Sequence, residues 1–117
     1  MIATILALAI AVLHVWILVM EMFLWETPRV RKAFGTTEDV AAATKVLAAN
    51  QGLYNGFLAT GLVWGVALGA EGRATVAFFL LCVLIAGLYG AATASRRILF
   101  VQAMPAALAL AALAARI

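Results

Sequence analysis

The sequence predicts an all-α integral membrane protein, a bundle of four transmembrane helices with both termini on the non-cytoplasmic side. Of the 117 residues, 68% are hydrophobic and 11% are charged, and the mean hydropathy is +1.14. One small core cannot bury so much apolar surface. The apolar runs are about 20 residues long, which suits a hydrocarbon layer of roughly 30 Å. We predict one domain, residues 1–117, with spans at about 3–25, 46–68, 74–94 and 98–115.

The first span is predicted to end near Trp25, because aromatic residues such as Phe23 and Trp25 favour the membrane–water interface. It contains His14 and Glu21, whereas the apolar region of a cleaved signal peptide would be purely apolar. We therefore expect this span to be retained as a helix.

The second span is predicted to follow a polar connection at residues 29–39, in which Gly35 allows a turn. Pro28 opposes a continuation of the first helix. Thr36 and Asp39, three residues apart, have the spacing of a capping box, so the second helix is expected to start there.

The third and fourth spans are predicted to be joined by a tight turn at residues 95–97. Pro105 lies inside the fourth span and removes the N–H that would bond to the carbonyl of Val101, so we expect a kink. A neighbouring helix or Gln102 would then have to satisfy that carbonyl.

The basic residues predict the orientation of the chain. One side would carry Arg29, Arg31, Lys32, Lys45, Arg96 and Arg97, and the other Arg73 and Arg116. The positive-inside rule makes the richer side cytoplasmic, so both termini are expected on the other side. This topology accounts for the net charge of +3 without nucleic acid, and the expected partner is the lipid bilayer.

Polar side chains are predicted to share a layer near the cytoplasmic side, because alternate helices run in opposite directions. The helical rise places most of them roughly 6–14 Å below that membrane surface. The predicted ligand-binding residues are His14, Glu21, Asn50, Gln51, Tyr54, Asn55, Tyr89, Arg96, Arg97 and Gln102.

Glu21 is the strongest functional signal, since a carboxyl group in hydrocarbon is costly and normally faces the bundle interior with a partner. We favour a proton-handling or ligand-binding role; the alternative is a neutral or ion-paired group that is solvated near the surface. His14, seven residues earlier, shares its helix face. For His14 alone we favour a structural role, because one hydrogen bond to a neighbouring helix would satisfy a neutral imidazole.

The second helix presents Asn50, Gln51, Tyr54 and Asn55 over an arc of about 140°. These side chains either line a site for a polar ligand or ion, or hold helices together by hydrogen bonds. Small residues on the second and third helices predict close helix packing, and with it a homo-oligomer.

Tyr89, Thr93, Arg96 and Arg97 lie on one face of the third helix, down to the basic turn. They either bind an anionic group such as phosphate or carboxylate, or anchor the protein at the interface. No familiar catalytic motif is present, and Cys82 is the only cysteine. We therefore predict no metal site. The sequence leaves open which cofactor the protein would use and whether it is an enzyme.

Several segments resemble a family of small bacterial integral membrane proteins catalogued as domain of unknown function 1304. They are EMFLW at 21–25, TPR at 27–29, KAFG at 32–35, ATKVLAANQGLYNG at 43–56, GLYGAAT at 87–93 and SRRILFVQ at 95–102. The resemblance covers nearly the whole chain and implies a multi-pass protein of the bacterial inner membrane. It implies no activity and no catalytic residues.

Two other groups are similar in outline. The membrane-associated eicosanoid and glutathione metabolism proteins also have four spans and a polar site on the cytoplasmic side, and they form trimers. Their helix-two motif pairs arginine with Asn and Glu, whereas this chain has Asn50, Gln51 and Asn55. The small multidrug-resistance exporters use a membrane-embedded Glu in the first helix, as Glu21 would be. The alternatives to a ligand-binding protein are thus a glutathione-transferase-like enzyme, a proton-coupled exporter and a structural or interaction protein.

Overall fold

The computed structural model describes all 117 residues, and its regular elements are all helical. The α-helices are α1 (Ile2–Phe23), α2 (Pro28–Phe34), α3 (Glu38–Ala67), α4 (Arg73–Thr93) and α5 (Met104–Ala114). A 3-10 turn, Gly69–Gly72, precedes α4, and a π-helical turn, Leu99–Ala103, precedes α5. The prediction of an all-α fold is confirmed.

Two helical segments are long and apolar enough to cross a membrane. They are α1, with 22 residues, and Gly69–Thr93, with 25 residues. The rest of the chain buries only 28% and 22% of their apolar windows, whereas the core helix of a soluble protein is mostly buried. Leu99–Ala114 is apolar but shorter. The structure therefore supplies two candidate spans, and the four-span bundle with its orientation stays a prediction.

The chain divides into two compact units. The terminal unit comprises Met1–Val12 and Leu58–Ile117, and the central unit comprises Leu13–Phe57. The predicted single domain over residues 1–117 stays a prediction.

In the central unit, α1 and α3 approach closely because α3 carries glycine where the two helices meet. A Cβ atom on Gly52 would lie 2.7 Å from Cγ of Met22 and 3.2 Å from the carbonyl oxygen of Leu18. A Cβ atom on Gly56 would lie 2.6 Å from Cδ1 of Leu18. Small residues permit such an approach, so this stripe serves packing within the chain.

The connection between α1 and α3 contains a helix, α2, where the sequence predicts only a polar connection. Thr27 caps α2, because its side chain accepts a hydrogen bond from the N–H of Val30 at 3.4 Å. Pro28 occupies the first helical position, where the missing N–H costs nothing. Gly35 ends the helix in the left-handed conformation, with φ 68°. The polar connection expected at residues 29–39 is therefore partly helical, because a proline that opposes one helix starts the next.

The start of α3 lies one residue after the predicted capping box of Thr36 and Asp39. The N–H of Val40 donates to Oγ1 of Thr37 at 3.2 Å, so Thr37 is the cap. The N–H of Thr36 donates to the carbonyl of Arg31 at 2.9 Å, so Thr36 belongs to the end of α2 and does not cap α3.

The main apolar core lies in the terminal unit, and small side chains make up half of it. Its buried members are Ala7, Ile10, Ala11, Ala59, Leu62, Val76, Leu80, Val83, Ala106 and Ala109. A Cβ atom on Gly87 of α4 would lie 2.7 Å from the backbone nitrogen of Ala103, so the two backbones are in near contact there. Close packing of small residues is typical of helices in membranes.

A π-helical turn lies just before Pro105, and the kink predicted at that proline stays a prediction. Proline provides no N–H for the carbonyl four residues earlier. The N–H of Met104 donates to the carbonyl of Leu99, five residues back, which widens the turn.

Candidate functional site

Glu21 is the only acidic residue that the chain buries, with 1% of its surface exposed. Its Oε2 accepts a hydrogen bond from Nε2 of Gln51, and its Oε1 accepts one from Nδ2 of Asn55, both at 2.6 Å. The two donors are four residues apart on α3 and therefore lie on one face of that helix. We call Glu21, Gln51 and Asn55 the carboxylate–amide cluster.

The charge of Glu21 is not balanced by a basic side chain. The salt bridge of the central unit joins Nζ of Lys45 to Oε1 of Glu26 at 3.2 Å, and both of these side chains are substantially exposed. The partners of Glu21 are neutral amides, which donate hydrogen bonds but supply no positive charge. Removing a carboxylate from water without a counter-charge costs several kcal/mol. The cluster is therefore suited to accept a proton or a cationic group.

The local sequence explains how the cluster forms. Gly52 lies next to Gln51, and a Cβ atom on it would lie 3.1 Å from Cβ of Glu21. Glycine here brings the backbone of α3 close enough for the short amide side chains to reach the carboxylate. Nδ2 of Asn55 also donates to the carbonyl of Gln51 at 3.1 Å, which fixes the orientation of the amide.

His14 lies two turns before Glu21 on the same face of α1 and is fully buried. The structure agrees with the prediction that the two residues share a helix face. Whether His14 takes part in binding stays a prediction.

Asn50 and Tyr54 lie on α3 beside the cluster but are not part of it. Asn50 is exposed. Tyr54 is 64% exposed and packs edge-on against Phe57, with ring centroids 5.7 Å apart. Of the four polar residues predicted to form one surface on this helix, two contact Glu21. The other two lie about 100° round the helix from Gln51 and Asn55 and point elsewhere.

The remaining predicted residues belong to the terminal unit. Tyr89 is 72% exposed, and Arg96 and Arg97 are exposed in the turn after α4. Nε2 of Gln102 donates to the carbonyl of Val83 in α4 at 3.5 Å, and so ties the π-helical turn to that helix. A ligand-binding role for these four residues stays a prediction.

Trp25, just after the end of α1, makes two contacts that were not predicted from the sequence. Nε1 of Trp25 donates to Oγ1 of Thr44 at 3.1 Å, and the Trp25 ring packs edge-on against Phe34 at 4.9 Å. A cavity of about 260 Å³ lies here, lined by Met22, Phe23, Trp25, Glu26, Thr27 and Lys45. Tryptophan was interpreted only as an interfacial residue, and no pattern in the sequence indicates its partner.

Fold and site together define a small helical protein with much of its apolar surface turned outward and a single buried acid held by amides. The chain belongs to the family described as protein of unknown function (DUF1304), whose profile it matches over residues 8–114. The resemblance to that family is thereby confirmed. The matched range includes every residue that was predicted to bind a ligand.

Among curated proteins, the chain is similar to the uncharacterized protein YpaA of Lactococcus lactis subsp. lactis (strain IL1403). The two are 29% identical over 108 residues, which is 91% of each chain. No solved structure matches the chain.

Proposed function

We propose that this protein is a four-span integral membrane protein of the bacterial inner membrane that binds a small amphipathic ligand at Glu21. The ligand's polar end is a cation or a strong hydrogen-bond donor. The observation that carries the proposal is the buried carboxylate held by two amides without a counter-charge.

The membrane location is supported by the apolar side chains that the fold leaves uncovered. Large hydrophobic residues are exposed along α1, the second half of α3, α4, the π-helical turn and α5, including Val12, Trp16, Val63, Trp64, Phe78, Ile85, Phe100 and Leu108. Soluble monomers rarely expose large apolar patches, whereas single exposed apolar residues are common, so the number of exposed large side chains is what supports a membrane location. Besides the two candidate spans, the second half of α3 and Leu99–Ala114 would complete four crossings.

A binding role is supported by the free-energy cost of burying the carboxylate of Glu21. An acid within an apolar helix is expensive and usually has a function. If the cluster served only to join α1 to α3, an apolar contact of similar size would do so as well or better. An amphipathic cation would neutralise Glu21, and its apolar part would remain among the apolar helices. Because Glu21 is 1% exposed, ligand entry requires the side chains around the cluster to move.

The test compares two probes of nearly equal shape, benzyltrimethylammonium and its uncharged carbon analogue neopentylbenzene, on the full chain in lipid nanodiscs. The cation should raise the melting temperature of the wild-type protein, and the neutral analogue should not. Glu21→Gln and Asn55→Ala should abolish the rise.

Glu26→Gln is the matched control, because Glu26 is an exposed acid five residues from Glu21. This variant should respond to the cation as the wild type does. An equal rise with both probes, or a rise that survives Glu21→Gln, would reject the site. A rise that depends equally on Glu26 would indicate surface charge instead.

A proton-coupled exporter is a second candidate, favoured by the closed state of the cluster. A carrier must enclose its binding carboxylate at some stage of its cycle, and Glu21 is enclosed here. In proteoliposomes with an inward or outward pH gradient, the cation should then be transported only when Glu21 is present. Binding that occurs without transport would leave the binding function intact and remove the exporter.

A further inference from the structure

A cavity of about 450 Å³ lies in the terminal unit, among residues for which no binding role was predicted. Parts of its wall come from the start of α1, the end of α3, the start of α4 and the end of α5. Three apolar side chains and two arginines characterise it: Val66, Val76, Leu113, Arg73 and Arg116. Its volume lies within the range of about 300–1,000 Å³ found for small-molecule sites.

Arg73 is held in place by one hydrogen bond. Its Nη2 donates to the carbonyl of Leu113, which lies in the last turn of α5. A guanidinium group carries five N–H donors, so most of its donor capacity is left for another acceptor. Arg73 forms no salt bridge.

Arg116 occupies a backbone position that normally requires glycine. Its φ is 60°, and it is the only non-glycine residue with positive φ. The N–H of Arg116 donates to the carbonyl of Leu113 at 3.2 Å, and that of Ile117 donates to the carbonyl of Ala112 at 3.1 Å. These two bonds form a Schellman motif, in which glycine usually takes the left-handed position. Arginine there is less favourable for folding than glycine. Arg116 is nevertheless one of the residues that line the cavity.

The charge of this cavity is one-sided. No Asp or Glu lines it, and Arg116, like Arg73, forms no salt bridge. Two guanidinium groups beside apolar walls suit a ligand with an anionic end and an apolar end.

We propose that this cavity binds a phosphate group, held by Arg73 and Arg116, on an amphipathic molecule whose apolar part lies against Val66, Val76 and Leu113. Guanidinium groups bind phosphate through paired N–H donors. The cavity is larger than a phosphate ion needs, and this favours a phosphate attached to an apolar chain. The proposal does not depend on Glu21, because every residue that it uses lies in the terminal unit.

The experiment uses the full chain in detergent with three probes: dihexanoylphosphatidic acid, dihexanoylglycerol, which lacks only the phosphate, and inorganic phosphate. Binding is measured by titration with a thermal-shift readout. Phosphatidic acid should bind the wild type, and Arg116→Gly and Arg73→Gln should each weaken that binding about tenfold. Arg29→Gln, which removes an exposed arginine of the central unit, should bind as the wild type does.

Arg116→Gly makes the test decisive, because glycine fits the left-handed position and the variant should be at least as stable as the wild type. Loss of binding in a protein of undiminished stability separates a ligand contact from a structural role. If inorganic phosphate also binds and this binding depends on Arg116, the site is supported and its ligand is a free anion. If only phosphatidic acid binds, the site is supported and its ligand is a lipid. Equal binding of dihexanoylglycerol, or wild-type binding by both arginine variants, would overturn the proposal.

Discussion

Single residues carry most of the functional information in this chain, and Glu21 carries the most. The cost of an acid in an apolar helix identified it from sequence alone. The sequence also placed amide groups at its depth, but it did not show which of them would make contact. That choice depends on the rotation of α3 about its axis, which the packing of Gly52 and Gly56 against α1 fixes.

The hydrogen bonds to Glu21 predict a strong energetic coupling. In the wild type, Asn55→Ala leaves one oxygen of a buried carboxylate without a donor and should lower the free energy of unfolding by about 1–3 kcal/mol. In a Glu21→Leu background the same substitution should cost less than about 0.5 kcal/mol, because the acceptor is gone. The measurement is unfolding by denaturant in mild detergent.

Asn50→Ala serves as the control for this cycle, since Asn50 is exposed and one turn from the contact. It should have a small effect in both backgrounds. Equal costs of Asn55→Ala with and without Glu21 would show that the two side chains do not interact.

The helices were predictable where a continuous apolar run defines them. The first span was expected at 3–25 and is Ile2–Phe23, and the third was expected at 74–94 and is Arg73–Thr93. The prediction failed where polar side chains and backbone caps determine where a helix begins and ends. The helix Pro28–Phe34 depends on one threonine cap and one left-handed glycine, and the π-helical turn Leu99–Ala103 on backbone contact with Gly87 as well as on Pro105.

The position of the cap on α3 can be tested with two neighbouring threonines. Thr37→Ala removes the acceptor for the N–H of Val40 and should lower stability by about 1 kcal/mol. Thr36→Ala should cost little, because the side-chain oxygen of Thr36 is buried with no hydrogen-bond partner. The melting temperatures of the two variants, measured side by side, show which threonine caps α3. A larger loss for Thr36→Ala would restore the capping box that the sequence suggested.

Two glycines of α4 provide a test of close packing. Gly87→Ala brings a methyl group against the backbone of Ala103, which cannot move independently, and overpacking of this kind costs about 1–3 kcal/mol. At Gly90 the same methyl group would meet only the side chain of Ile98, at 3.2 Å, which can shift. The gain in helix propensity of about 1 kcal/mol should then make Gly90→Ala neutral or stabilising. The stabilities of both variants are compared by thermal unfolding. A smaller loss of stability for Gly87→Ala than for Gly90→Ala would contradict the close contact at Gly87.

At the scale of the molecule, the proposed topology places Glu71 and Ser95 on opposite sides of the membrane. Both positions are exposed in the structure. In a Cys82→Ser background, Glu71→Cys should react with a membrane-impermeant maleimide in intact cells, and Ser95→Cys should react only after the membrane is opened. These reactions follow from the excess of arginine and lysine on the Ser95 side. Labelling of both cysteines from the same side would exclude a span between them.

The small residues that predict a homo-oligomer could equally serve contacts within one chain. Gly52, Gly56 and Gly87 make close contacts inside the chain. The sequence shows that a face can pack closely but does not show against what, because a neighbouring helix and another subunit demand the same small residues.

The scarcity of charge pairing has a consequence for handling the protein. The exposed salt bridge between Lys45 and Glu26 is weak by nature, and the core is made of alanine, valine, leucine and isoleucine. Raising sodium chloride from about 0.05 to 1 M should therefore move the melting temperature by no more than about 1 °C. Exchanging one amphiphile for another with a different chain length should move the melting temperature much further, so the storage life of the purified protein will depend on the choice of detergent and hardly at all on the salt concentration.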